Sequence, residues 1–163
     1  MSELLFDYKG ESYPAYLKQG NAISYIMPVA KYFCKGEGLD IGGTFKWNFP
    51  GARIINIGND DKWAAGCLPD EKYDYIISSH CLEHVERPPE ILEYWQTRLK
   101  KSGVLFLYLP HPDMEYWAIN CPKHRHYFYP KVIYYWLHDL GFKDILVSGR
   151  DMYWSFTVVA FNG

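Results

Sequence analysis

Four short polar segments hold the residue types that could do chemistry. They are Asp40-Ile41-Gly42-Gly43-Thr44, Gly58-Asn59-Asp60-Asp61, Ser78-Ser79-His80 and Pro110-His111-Pro112-Asp113. Gly42 and Gly43 carry no side chain, so backbone can approach a ligand closely there. Asp60 follows the glycines by roughly 20 positions, the separation at which a carboxylate can accept both hydroxyls of a ribose. No Lys-Ser/Thr pair follows the glycines, so a phosphate-cradling loop of the P-loop type is excluded. Little room for a helix lies between Thr44 and Gly51, which weighs against a pyrophosphate held at a helix N-terminus. A nucleoside cofactor without phosphates would not need one. Glycine pairs also make plain tight turns, and that reading stays open.

The elements that must position these segments are legible from periodicity. Residues 1–20 read as an irregular arm broken by Gly10, Pro14 and Gly20, either a lid over a cleft with Tyr8, Tyr13 and Tyr16 as contacts or a packing strap. A leading helix is expected over 21–35, with Asn21 as its N-cap and Ile23, Ile26, Met27, Ala30 and Phe33 at helical spacing. Strands are expected at 39–41, 53–57, 73–79 and 104–109. Pro88 and Pro89 open a helix whose Ile91, Leu92, Trp95 and Leu99 share a face; Lys100 and Lys101 suit its negative end, and Gly103 closes it. Pro130 opens a last helix that turns Val132, Ile133, Trp136, Leu137 and Leu140 inward and ends at Gly141. Two final strands, 142–148 and 153–161, are expected to pair antiparallel. Strands alternating with helices imply an α/β fold with a mostly parallel sheet and helices on both faces. Ligands of such sheets bind beyond the carboxyl ends of the strands, where all four polar segments fall.

Composition narrows the class. With 163 residues, 48% apolar and 22% charged, the chain suits one domain with a sizeable core. The net charge of -2 and the lack of a basic stripe argue against stable nucleic-acid binding. Four dispersed cysteines, no signal-peptide core and no run of roughly 18 apolar residues suit a reduced, cytoplasmic protein with no membrane span. Fifteen tyrosines suit a small core filled by large side chains, and also a lined cleft.

Three stretches together, "GLDIGGT", "KYDYIISSHCLEHVERPPEILEYWQTRLKKSGVLFLYLPHP" and "HRHYFYPKVIYYWLHDLGF", resemble a class I S-adenosylmethionine-dependent methyltransferase. More narrowly, the chain resembles the small kind with a shortened first crossover, here through Phe49-Pro50-Gly51-Ala52. The resemblance runs from about residue 38 to the end, and its most specific part is Ser79 to Val85. It implies a single Rossmann-like domain over 1–163: the arm at 1–20, the leading helix at 21–35 and a core at 38–163. It implies S-adenosyl-L-methionine as cofactor, with Asp40, Gly42 and Gly43 facing its methionine part and ribose. Ser78, Ser79 and His80 would border the adenine and methyl-donor region. Two departures stand out. A single glycine pair replaces the usual G-x-G-x-G, and Gly58 stands where the family acid ends the second strand, so Asn59 and Asp60 would have to substitute for it.

The expected reaction is in-line attack on a sulfonium methyl by a small-molecule acceptor, with a sugar or polysaccharide precursor implied only by resemblance. A base serves where the nucleophile must lose a proton, and His111 and His126 are the candidates because both lie in loops on the substrate side. Glu83 and His84 either brace their loop or touch a ligand. His80 and His84 are spaced four apart, and Cys121, His124 and His126 form a C-x2-H-x-H cluster. Either could hold zinc, but no fourth ligand is evident and no metal is expected. The 111–129 segment is expected to set acceptor specificity. Alternatives are a catalytically inactive methyltransferase-like binding or regulatory protein, and a different nucleotide- or metal-binding enzyme on the same framework.

Overall fold

The computed structural model describes residues 5–56 and 64–163. The arm is a hairpin, β1 (Leu5–Tyr8) paired antiparallel with β2 (Glu11–Pro14), followed by a single-turn helix α1 (Tyr16–Gln19). This corrects the irregular arm expected from sequence. Lys9 and Gly10 both take positive φ (51° and 85°), as a two-residue hairpin turn demands, and each strand has only four residues, too few for alternation to show. Helix α2 (Ile23–Phe33) follows, capped by Ala22 without a side-chain bond, so Asn21 is not the cap.

Strand β3 (Gly38–Ile41) runs to β4 (Arg53–Ile55) with no helix between, as the short link requires. A tight turn fills that link: Thr44 N–H donates to Trp47 O (2.8 Å) and Trp47 N–H donates back to Thr44 O (3.1 Å). Next come β5 (Tyr73–Ser79), a 3₁₀ turn at Leu82–His84, α3 (Pro88–Gln96) and β6 (Leu99–Pro110). Helix α3 ends at Gln96, earlier than expected, and Lys100 and Lys101 lie in the sheet. Tyr73 pairs with Leu99 and Tyr75 with Val104, so 100–103 form a bulge in which Ser102 has φ 61° and Lys100 bonds Asp74 (2.9 Å). The chain finishes with α4 (Glu115–Asn120), α5 (Pro130–Asp139), β7 (Lys143–Val147) and β8 (Ser155–Phe161). Gly141 follows α5 with φ 84°, and Phe142 N–H bonds Leu137 O (3.0 Å), the left-handed closure expected there. Val132 on α5 is exposed rather than inward.

The six-stranded sheet has the order β4-β3-β5-β6-β8-β7. β3, β4, β5 and β6 are parallel, β8 is antiparallel to β6, and β7 is antiparallel to β8. The sheet is covered on both faces. Leu39, Ile41, Ile76, Leu105 and Leu107 pack with α3 and α5, whereas Tyr75, Ile77, Phe106 and Tyr108 pack with α2 and the arm. Strand order reverses between β3 and β5, since β3 leads outward to β4 and the chain then returns to β5 on the other side. The crevice beyond these two strands is where a sheet of this kind binds ligands. Among the described residues, no helix is long and apolar enough to cross a membrane.

Candidate active site

Beyond β3, the glycine turn leaves no space for side chains. Gly42 has φ 95°, and a Cβ on it would stand 2.6 Å from Cys81 Cβ; a Cβ on Gly43 would stand 2.5 Å from Asp40 Oδ2. Gly42 N–H donates to Ile55 O (2.9 Å), and Asn56 Nδ2 donates to Gly43 O (3.0 Å), so the end of β4 fixes the turn. Asp40 is only 2% exposed and, among the described residues, accepts one bond, from Phe49 N–H (2.6 Å). Burial pushes its carboxyl up to about 6, and the Phe49 bond only partly opposes this.

Beyond β5, Ser78 donates its hydroxyl to Ile41 O (2.9 Å) and is fully buried. It ties the ends of the two strands together and does not face the cleft. Ser79 lines the cleft, and its hydroxyl has no hydrogen-bond partner among the described residues. His80 turns the chain with φ 49° and sends its side chain inward, where Nε2 meets Ser155 Oγ (3.0 Å). The same Ser155 Oγ meets Tyr16 Oη (2.8 Å), which also donates to Tyr153 O (2.7 Å). Burial holds His80 neutral, reinforced by the neighbouring His124 and His84.

Two cavities flank the glycine turn. One of about 220 Å³ lies between the turn, the arm and α4, with Tyr16, Trp47, Ser79, Trp117 and His124 on its walls. The other, of about 490 Å³, lies toward β4, against Ile55, Asn56, Ala64 and Val85. They share Gly42, His80 and His84, so both lie against the same glycine turn.

At the edge of the first cavity three imidazoles converge on one carboxylate. Glu83 is fully buried, with Oε1 at 3.7 Å from His84 Nε2, 3.8 Å from His124 Nε2 and 4.0 Å from His80 Nδ1. Among the described residues neither carboxylate oxygen has a hydrogen-bond partner. Burial pushes the Glu83 carboxyl up to about 8 and, with His84 adding to it, pushes His124 down to about 4. The loop that carries His124 is pinned to the 3₁₀ turn: Arg125 N–H and His126 N–H both donate to Glu83 O (2.9 and 3.2 Å).

Of the residues expected from sequence, Asp40, Gly42, Gly43, Ser79 and His80 meet at the cleft. Asn59 and Asp60 lie outside the described residues. His111 and His126 are not brought to the cleft. His111 packs against Phe156, with Asp113 N–H donating to its Nδ1 (3.3 Å). The His126 ring donates from Nε2 to Val85 O (2.9 Å) and stacks on Phe128. The histidines at the cleft are instead His80, His84 and His124. Of the arm tyrosines that the lid reading offers as contacts, Tyr16 lines the cleft. Asn56 and Trp117 were missed. Asn56 is the polar residue set between isoleucines at a strand end, which was a usable signal; Trp117 sits among many aromatics and had none.

An open α/β sheet with a glycine turn and a cleft at its reversal point defines a Rossmann-like cofactor-binding protein. The profile of the methyltransferase domain family matches residues 19–147, so the chain belongs to that family and is an S-adenosylmethionine-dependent methyltransferase. Among solved structures it is similar to an S-adenosylmethionine-dependent methyltransferase of Thermotoga maritima, described as a possible histamine N-methyltransferase. That match has TM-score 0.69 and 16% identity and covers 91% of this chain and 93% of the other. A methyltransferase of Archaeoglobus fulgidus matches with TM-score 0.63 and 18% identity, covering 90% and 97%. The phosphoethanolamine N-methyltransferase 2 of Haemonchus contortus, solved with S-adenosyl-L-methionine, matches with TM-score 0.57 and 16% identity, covering 77% and 38%. A search of curated proteins finds no match.

Proposed function

We propose that the protein methylates a small polar molecule, such as a sugar or polysaccharide precursor, in the cavity between Tyr16, Trp117 and the Glu83 cluster. The observation that carries this reading is the pair of cavities meeting at Gly42. The donor would lie across Gly42 and the acceptor would enter beside Trp117. The fit to the donor rests on the filled space around Gly42 and Gly43 and on the buried, singly bonded Asp40 carboxylate. When bound, S-adenosylmethionine supplies a methyl group already activated by a sulfonium.

The chain's own residues then have three tasks. Asp40 offers a buried negative charge to a cationic ligand, and the Gly42-Gly43 backbone lets that ligand come close. Tyr16, Trp47 and Trp117 supply flat apolar walls that exclude water and orient the acceptor, which is the main contribution a transfer from an activated donor needs. The imidazoles of His80, His84 and His124 present ring nitrogens to acceptor hydroxyls. His84 Nδ1 donates to Lys123 O (2.9 Å), which leaves Nε2 as its uncommitted nitrogen.

A thermal-shift titration with S-adenosylmethionine and S-adenosylhomocysteine tests the donor half. Ligand at about 100 times its dissociation constant adds about 2.7 kcal/mol of stability, and Asp40→Ala should reduce the shift. Methyl transfer from labelled donor to a panel of sugars, nucleotide sugars and small amines tests the acceptor half. Donor binding with transfer to amines alone would overturn the sugar reading.

A further inference from the structure

The Glu83 cluster is built unlike a hydrogen-bonded brace. A fully buried carboxylate normally accepts hydrogen bonds or pairs with a cation, because an unpaired one carries a large desolvation cost. Glu83 does neither among the described residues, yet imidazole nitrogens stand at 3.7 and 3.8 Å from its Oε1. Those separations exceed a hydrogen bond and approach the ~3.4 Å between two ligands of one tetrahedral zinc, given bonds of ~2.0–2.1 Å. One ligand atom each from Glu83, His84 and His124 fits within a span of 4.8 Å.

The surroundings match as well. A ligating imidazole is usually oriented by a bond from its other nitrogen, and His84 Nδ1 bonds Lys123 O (2.9 Å). Bonds from Arg125 and His126 to Glu83 O fix the His124 loop to the turn carrying the other two ligands. His84, whose side chain is 36% exposed, provides the way in. The set differs from the Cys121, His124 and His126 cluster suggested by spacing. His126 is committed to Val85, and Glu83, for which bracing the loop and touching a ligand were both open, takes its place.

We propose that Glu83, His84 and His124 bind a divalent cation, zinc by the chemistry of the donor set, with one coordination position open to the acceptor cavity. Two histidines and a carboxylate with a free position are the ligand set of a catalytic rather than a structural zinc. The open position takes water or an oxygen of the methyl acceptor, which favours acceptors with a hydroxyl, keto or carboxylate group beside the methylated atom. This last clause rests on the methyltransferase cleft proposed above; metal binding does not.

The test uses full-length protein purified without a histidine tag, stripped with a chelator and titrated with zinc against a zinc-binding dye. Binding of S-adenosylhomocysteine by thermal shift is measured on every sample as the check of folding. One zinc per chain is expected for the wild type, with affinity at least tenfold weaker in Glu83→Gln, His84→Ala and His124→Ala. Cys121→Ser and His126→Asn should bind as the wild type does. If Glu83→Gln loses the homocysteine response, the two histidine variants decide. Wild type that binds S-adenosylhomocysteine but no zinc overturns the proposal and leaves the methyltransferase reading intact. Zinc binding without the homocysteine response keeps the metal site and sinks the cleft reading. Loss of zinc only in Cys121→Ser or His126→Asn also overturns the proposal.

Discussion

Asp40 and Gly43 are fitted against each other so closely that a methyl group on Gly43 would lie 2.5 Å from the Asp40 carboxylate. The contact joins the buried Asp40 charge to the glycine backbone that the proposed donor site would bring against its ligand. Gly43→Ala must therefore displace the carboxylate or the turn, and should destabilise the fold by about 1–3 kcal/mol while weakening donor binding. Gly149→Ala is the control: nothing lies within 4 Å of its added carbon, and a change of only about 0.5 kcal/mol or less is expected. Urea melts and calorimetric titration of both variants check this.

Asp40 also sets a pH dependence. Its carboxyl is raised from 3.8 to about 6 in the folded state, so between these values the folded protein holds a proton that the unfolded chain has released. Stability from this group is thus full below the unfolded value and is lost as pH rises through about 6, a difference of about 3 kcal/mol. Asp40→Asn should flatten that slope in urea melts across the window. Binding of a cationic donor runs the other way, strengthening as pH rises through about 6 and the carboxylate ionises. Calorimetry showing donor affinity independent of pH in the wild type would sink this assignment.

Tyr16→Phe removes a hydroxyl that donates to Tyr153 O and lies 2.8 Å from Ser155 Oγ. The partly buried Tyr153 carbonyl loses a donor, at a cost of about 1–3 kcal/mol. His80 keeps its own contact with Ser155 but loses the third member of the chain, so the variant should also lower turnover. Thermal melts and initial rates measured together distinguish this from a purely structural loss.

Trp117→Ala strips one wall from the acceptor side and leaves the glycine turn untouched. The acceptor KM should rise about tenfold, the equivalent of about 1.4 kcal/mol of contact, with the dissociation constant for S-adenosylhomocysteine nearly unchanged. An equal loss of affinity for both ligands would place Trp117 on the donor instead.

His111→Ala should leave turnover within about twofold, because its ring packs against Phe156 and away from the cleft. His84→Ala should cost about 100-fold or more, in line with loss of a group that acts on the reacting atoms. Steady-state rates for the two variants settle which histidines serve the reaction.

Much of the frame was legible because it is written in periodic burial. The runs at Gly38–Ile41 and Tyr73–Ser79, and the Pro-led helices at Pro88 and Pro130, sit where hydrophobic spacing puts them. The turn residues beyond β3 and β5 followed from those strand ends. What periodicity missed was geometry between distant segments. Leu99 keeps helical spacing with Trp95, yet it pairs with Tyr73 across the sheet, and only that partner ends α3 at Gln96. The loops of His111 and His126 point to the substrate side, but a loop's position says nothing about where a ring is held. Whether Glu83 braces its loop or touches a ligand was not legible, because its isolation from hydrogen-bond donors depends on a loop forty residues away.

The link from Tyr16 to Ser155 spans nearly the whole described chain. During synthesis the arm emerges well before the residue it must grip. One wall of the proposed acceptor cavity thus cannot be set until β8 has left the ribosome, so a nascent chain stalled before Ser155 should neither protect Tyr16 from protease nor hold the cleft in shape. Late completion delays the reactive pocket until the rest of the sheet exists to support it.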